Sequence, residues 1–202
     1  MSMSETEADV IDTLVGIAPG SPLDAIRARR PEARKHAQAS FQALFAPGDI
    51  AGVSAEERFA VGCFVAGLHG EADTAAFYRA GLASSGATEA LCAAVTVAVA
   101  EAVTEGPYGS FPAGPLTAED TPGLIYSVGA ELREALGLRL VAALEHVHML
   151  VFHPRDAAPE ALQALLDAGW TTTDIVTLSQ IAAFLSFQIR VVRGFRTLAA
   201  AA

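Results

Sequence analysis

Residues 134–153 read EALGLRLVAALEHVHMLVFH, and the reading of this stretch decides the fold and concentrates the chemistry of the chain. Glu134, His146, Met149 and His153 fall in the pattern Glu-x11-His-x2-Met-x3-His. On an α-helix, positions i, i+3 and i+7 lie on one face, so His146, Met149 and His153 point the same way. Glu134 precedes His153 by roughly 28 Å along a straight helix at about 1.5 Å per residue. The carboxylate meets the histidines only if the chain bends. That bend is expected near Leu144 to His148, with Glu134 folded back across the second helix.

Outward from this stretch, helix signals dominate and strand alternation is nearly absent, which makes the protein all-α. Ser21-Pro22 opens a short helix as cap and first-turn proline, and Pro31 starts another that runs to about Phe45. Pro47-Gly48 stops it. Ser54-x-x-Glu57 is a capping box leading into a helix to about Leu68. Ala72 to Leu82 and Thr88 to Val103 follow as helices. Residues 105–123, EGPYGSFPAGPLTAEDTPG, hold eight glycines and prolines and form a long irregular connection. Beyond it, Leu124 to about Leu144 reads as helical, with a break near Pro154. Pro159 to Ala168 is a helix ended by Gly169, and Thr173 with Asp174 caps a last long helix.

This organisation gives an N-terminal helical arm over residues 1–50 and a helical domain over residues 51–202. The domain divides into a degenerate repeat (51–104), the loop (105–123) and a core repeat (124–202). The halves share Glu57-x11-His69 and Glu134-x11-His146, and CFVAGLH resembles LVAALEH, so a pseudo-twofold bundle is expected. The arm and the loop are candidates for wrapping a partner subunit.

With 202 residues, 52% of them apolar and 18% charged, the chain is long enough for an ample core. A net charge of −10 argues against nucleic acid or an anionic membrane as partner. Arg27, Arg29, Arg30, Arg34 and Lys35 form a basic cluster that reads as a solvated helix face. The acidic N-terminus lacks an apolar signal core, and a cytoplasmic location is expected. Ala90 to Val103 and Ile175 to Val192 read as buried helices whose excess apolarity suggests a homo-oligomer. Gln188 and Arg190 cannot share one face, and Arg193 is placed to pair with acids of a neighbouring subunit. Cys63 and Cys92 have no metal or redox spacing and read as reduced core residues.

The stretch from Glu134 to His153 resembles the alkylhydroperoxidase D and carboxymuconolactone decarboxylase superfamily, whose peroxidase members carry Glu-x11-Cys-x2-Cys-x3-His. The resemblance covers about Ala130 to Phe195, and the first half matches only as a degenerate repeat. Glu134 and His153 stand at the family's glutamate and histidine, and His146 and Met149 stand at its two cysteines. The resemblance implies an oligomeric helical bundle and, in peroxidase members, a dithiol cycle in which Glu and His shuttle the proton. Methionine forms no thiolate and histidine closes no disulfide, so this chain lacks that cycle at that site.

Two chemistries remain for the same residues. Glu134, His146 and His153 can act as acid–base groups on a small organic substrate, as the decarboxylase members imply. No arginine is clearly placed for a dicarboxylate; Arg133, Arg139 and Arg155 are nearest. No cofactor is required, although His146, His148, His153 and Glu134 match the ligand types of zinc or iron sites. Against a metal, His146 and His148 diverge by about 200° on a helix, so only one faces His153. The bland readings are a satisfied polar network at a helix bend, a core Met149, a surface His36 and a helix-end His69. An enzyme and a non-catalytic protein that binds a ligand or partner therefore both stand. They differ in whether Glu134 comes within reach of the histidines beside a solvent-connected cavity.

Overall fold

The structure is a computed structural model that describes residues 8–50 and 52–201. The remainder of the expected 1–50 arm and 51–202 domain lies outside the described residues. An arm of α1 (Val10–Val15), α2 (Pro22–Ala28) and α3 (Pro31–Phe45) precedes α4 (Ala55–Leu68), α5 (Ala72–Ser84) and α6 (Glu89–Ala102). After the loop come α7 (Ala130–Phe152), α8 (Pro159–Asp167) and α9 (Thr172–Ala200). No strand occurs among the described residues, so the all-α reading holds.

Local chemistry sets most boundaries. Ser54 and Glu57 form the expected reciprocal capping box: the Glu57 N–H donates to Ser54 Oγ (3.1 Å) and the Ser54 N–H to Glu57 Oε2 (2.9 Å). Pro22 and Pro31 occupy first-turn positions, where a missing N–H costs nothing. The last helix is capped by Thr171 with Asp174 rather than by Thr173. Leu124 to Gly129 is not helical; α7 begins at Ala130. Its bend lies at Gly137 (φ 73, ψ 159), and the chain is helical through Leu144 to His148, where a bend was expected. A positive φ is open to glycine at little cost, which explains why the break falls there.

α4 lies at the centre, packed on α5, α6, α7 and α9. Phe64, Tyr78, Leu144, Leu178 and Leu185 are fully buried in this core, each worth roughly 1.5–3 kcal/mol of transfer free energy. α7 and α9 are long and apolar enough to cross a membrane by length and composition. Both also pack into this core, as the helices of any buried interior do.

Each half runs long helix, shorter helix, then a left-handed glycine two residues before a threonine cap: Gly86 and Thr88, Gly169 and Thr171. In that register His69, the C-cap of α4, corresponds to His153, the C-cap of α7, and not to His146.

The arm folds onto its own chain, with α1 and α3 against α9. Arg27 is buried and pairs with Asp9 (2.6 Å) and Asp12, while Arg34 pairs with Asp12 and with Asp24 (2.7 Å). The basic cluster is thus not a uniform solvated face; only Arg29, Arg30 and Lys35 are exposed. Gln188 is buried and accepts from the Tyr78 hydroxyl (2.7 Å), and Arg190 is exposed on another face. Arg193 pairs with Glu71 of its own chain and donates to His69 O (2.8 Å).

Arg139 ties the two halves together. Its guanidinium donates to Glu57 (2.8 Å) and Gly52 O (2.8 Å) and lies 3.9 Å over the Trp170 ring. Trp170 returns its indole N–H to Arg139 O (2.9 Å). Arg139→Leu is expected to lower unfolding stability by about 2 kcal/mol, from the lost charged hydrogen bonds and cation–π contact. Urea midpoints check this, and a change below about 0.5 kcal/mol would reduce the cluster to an ordinary surface pair.

Candidate functional site

The site forms where α7 ends. The His153 N–H still closes on Met149 O (2.9 Å), but its φ of −142° leaves the helix and Pro154 follows. The 105–123 loop folds back over this end instead of reaching outward. The Tyr108 N–H donates to Phe152 O (3.0 Å), and the Ser110 N–H donates to Asp156 Oδ1 (2.7 Å). Gly109 (φ 112°) lets the loop pass here, since a Cβ at that residue would sit 2.6 Å from the Asp156 carboxylate. The Tyr108 ring lies flat on the His153 imidazole, with centroids 5.1 Å apart and 16° between planes.

A cavity of about 330 Å³ lies between α7, α8 and the segment before α7, with His153 and Asp156 on its wall. Its polar lining is Glu145, His146, His153 and Asp156; Met149, Tyr126 and three alanines contribute apolar wall. The sequence-derived set His146, Met149 and His153 therefore lines one cavity, as its i, i+3, i+7 spacing requires. Glu134 does not join it. It is exposed on the segment before Gly137 and does not line the cavity, although Arg133 of that segment reaches Glu145. The cavity's carboxylates are Glu145 and Asp156, which sequence reasoning missed. The signal for Asp156 was its place three residues after His153; Glu145 carried none beyond adjacency to His146.

His153 Nδ1–H donates to Asp156 Oδ2 at 3.0 Å, so the basic nitrogen of the neutral imidazole is Nε2. Asp156 is itself fixed by the Ser110 N–H. His146 is 6% exposed and its Nε2 lies 3.3 Å from Ser179 Oγ. Ser179 spends its own proton on Ile175 O (2.9 Å), so His146 donates through Nε2. That leaves Nδ1 as an acceptor, buried and without a partner among the described residues. Burial lowers the His146 pKa, which favours the uncharged ring.

His148 does not line the cavity; its ring meets the other side of this cluster, edge-on to His153 with centroids 5.6 Å apart. It is fully buried, donates to Ala102 O (3.1 Å) and packs on Tyr126 and Phe152. Among the described residues no group of three or more His, Cys, Asp or Glu is arranged to hold a metal ion, so the set His146, His148, His153 and Glu134 is not assembled. His36 is on the surface, 3.3 Å from Glu32. His69 is half-buried, its pKa lowered by burial and by Arg190 and Arg193. Of the arginines, Arg133 reaches Glu145 (3.3 Å) from outside, Arg139 is held by Glu57, and Arg155 stacks 4.0 Å over Phe111. A larger groove of about 830 Å³ runs beside Arg139, but its Arg139–Glu57 pair is already engaged.

No family model, curated protein or solved structure matches this chain.

Proposed function

We propose that this protein is an acid–base enzyme that moves a proton on a small organic molecule held in the His146–His153 cavity. The observation that carries this reading is the Asp156–His153 pair: a carboxylate anchored by a backbone N–H, and an imidazole fixed in one tautomer beside an apolar cavity. In that arrangement His153 Nε2 takes a proton from the substrate, Asp156 stabilises the imidazolium, and the imidazolium, its Nε2 proton exchanged with solvent, returns a proton to carbon. The likeness to the alkylhydroperoxidase D and carboxymuconolactone decarboxylase superfamily supports a helical bundle of that kind and a working histidine at His153. It lends nothing to Glu134, which is exposed and does not line the cavity.

Thiol peroxidase activity is not part of the proposal. His146 and Met149 supply no thiol, and burial pushes the Cys63 thiol pKa up, away from the reactive thiolate. Turnover of alkyl hydroperoxide with a dithiol reductant is expected to stay at the level of the Cys63→Ser/Cys92→Ser variant. A peroxidase rate that drops only in that variant overturns this exclusion.

Leu162, Leu166, Val176 and Phe187 are exposed on α8 and α9, and we place homo-oligomer contacts on that face, in a cytoplasmic protein. The test of the enzymatic reading is incubation in D₂O with small amines, alcohols and carbonyl compounds, with deuterium at carbon read by NMR. Exchange that requires His153 supports it. The absence of Glu134 from the cavity favours the second reading, a ligand-binding protein without turnover. Saturable binding with no exchange from any compound would select that reading instead.

A further inference from the structure

The side-chain donors of the His146–His153 cavity are already spent, His153 Nδ1–H on Asp156 and His146 Nε2–H on Ser179, so what its polar side chains leave open are acceptors. Three bonds to Glu145, from the Ser127 hydroxyl, the Val128 N–H and Arg133, end on Oε1, which leaves Oε2 open. Asp156 uses one bond at each oxygen and is a carboxylate with lone pairs to spare. His153 offers Nε2, whereas the unpartnered Nδ1 of His146 is sealed from solvent and does not face the cavity. The Tyr126 hydroxyl, the one other polar hydrogen on the wall, goes to Ala98 O (3.3 Å).

The charges agree with the hydrogen bonds. No lysine or arginine lines the cavity among the described residues, and two carboxylates do. An anionic ligand would meet like charge and find no donor. A ligand that brings several N–H groups and a positive charge would satisfy the acceptors and offset the carboxylates. Tyr126 adds an aromatic face, which attracts cations. At about 330 Å³ the cavity is at the small end of ligand sites, which run from about 300 to 1,000 Å³.

We infer that the cavity binds a small primary or secondary amine as its ammonium form, with Glu145 Oε2 and Asp156 as counter-charges and His153 Nε2 as a further acceptor. This rests on the acid–base reading only for what happens next; the binding preference follows from the lining alone. It also runs against a carboxylate substrate, the class that the decarboxylase resemblance implies.

The test uses one ring with four substituents: benzylamine, benzyl alcohol, toluene and benzoate. Each is titrated at pH 7 into full-length protein labelled with ¹³C at the methionine methyls. Met149 lines the cavity, so its resonance, assigned by Met149→Leu, reports occupancy at this site. Benzylamine is expected to shift the Met149 signal saturably and to bind about tenfold tighter than benzyl alcohol, the gain of a charged over a neutral hydrogen bond. Benzoate is expected to leave it unmoved. Glu145→Gln should weaken benzylamine about tenfold and leave benzyl alcohol within twofold. Benzoate or the alcohol binding as tightly as the amine overturns the inference, as does the absence of saturable binding by benzylamine at Met149. Because no arm needs turnover, a failed deuterium-exchange test would leave this binding order standing, and a failed binding order would leave exchange at His153 standing.

Discussion

His153→Gln is expected to lower turnover by ~10²–10⁴-fold, the range for loss of a positioned general base. Glutamine keeps a side-chain N–H for Asp156 and much of the volume against Tyr108, so the loop geometry should persist. It has no basic nitrogen. The loss should therefore fall on kcat, with ligand affinity at Met149 changed little. Asp156→Asn tests the positioning residue. An asparagine amide can donate to Nδ1, which moves the imidazole proton to Nε2 and removes the base without removing the ring. Turnover should fall by ~10²-fold or more, and ¹⁵N shifts of His153 should report the exchanged tautomer, a readout that a merely structural Asp156 would not move. Glu134→Gln should leave kcat within about twofold, since the carboxylate is exposed away from the cavity. Turnover of His153→Gln above a tenth of wild type would reject His153 as the base. A large loss in Glu134→Gln would mean that the segment before Gly137 closes on the site during the reaction.

These expectations mark what the sequence made legible. Helix starts at Pro22, Pro31 and Ser54 were readable because their chemistry is local: a cap side chain, a first-turn proline and a reciprocal glutamate lie within four residues. The His146–Met149–His153 face was readable for the same reason, since one uninterrupted helix fixes it. The Leu124–Val128 segment was not. Its apolar residues resemble a helix start, yet Tyr126 and Val128 enter the core from an extended chain, a tertiary effect that local propensity does not carry. The bend followed a single backbone angle at Gly137, and misplacing it put the wrong carboxylate in the site. Asp156 became a partner of His153 because Pro154 turns the chain and Ser110, 46 residues earlier, anchors the other oxygen. The carboxylate of the pair is thus set by a loop contact that no periodicity encodes.

Acidification from pH 6.5 to pH 4 is expected to cost the fold about 3 kcal/mol through His148 alone, by the linkage of a folded-state pKa near 4 to an unfolded value near 6.5. The cause is first its burial; the nearby His153 lowers the pKa further, while the hydrogen bond to Ala102 O opposes the shift. The sign follows from proton counting. Between these pH values the unfolded chain holds a proton on this imidazole and the folded chain does not, so stability rises with pH. The contribution is complete above about 6.5 and is lost as pH falls toward 4. His146 and His69, whose pKa values are also lowered by burial, act in the same direction. Asp24 contributes only below this window, because its pKa is lowered from an ordinary 3.8. Set against a typical net stability of about 5–15 kcal/mol, the loss is large enough to read by urea unfolding at half-unit steps of pH. His148→Gln retains a donor for Ala102 O and does not titrate. It should flatten the slope between pH 6.5 and 4 by about half or more, whatever its effect on stability at pH 7. An unchanged slope in that variant would show that His148 is not held uncharged by its burial between Tyr126 and Phe152, and that the acid lability arises at His146 and His69.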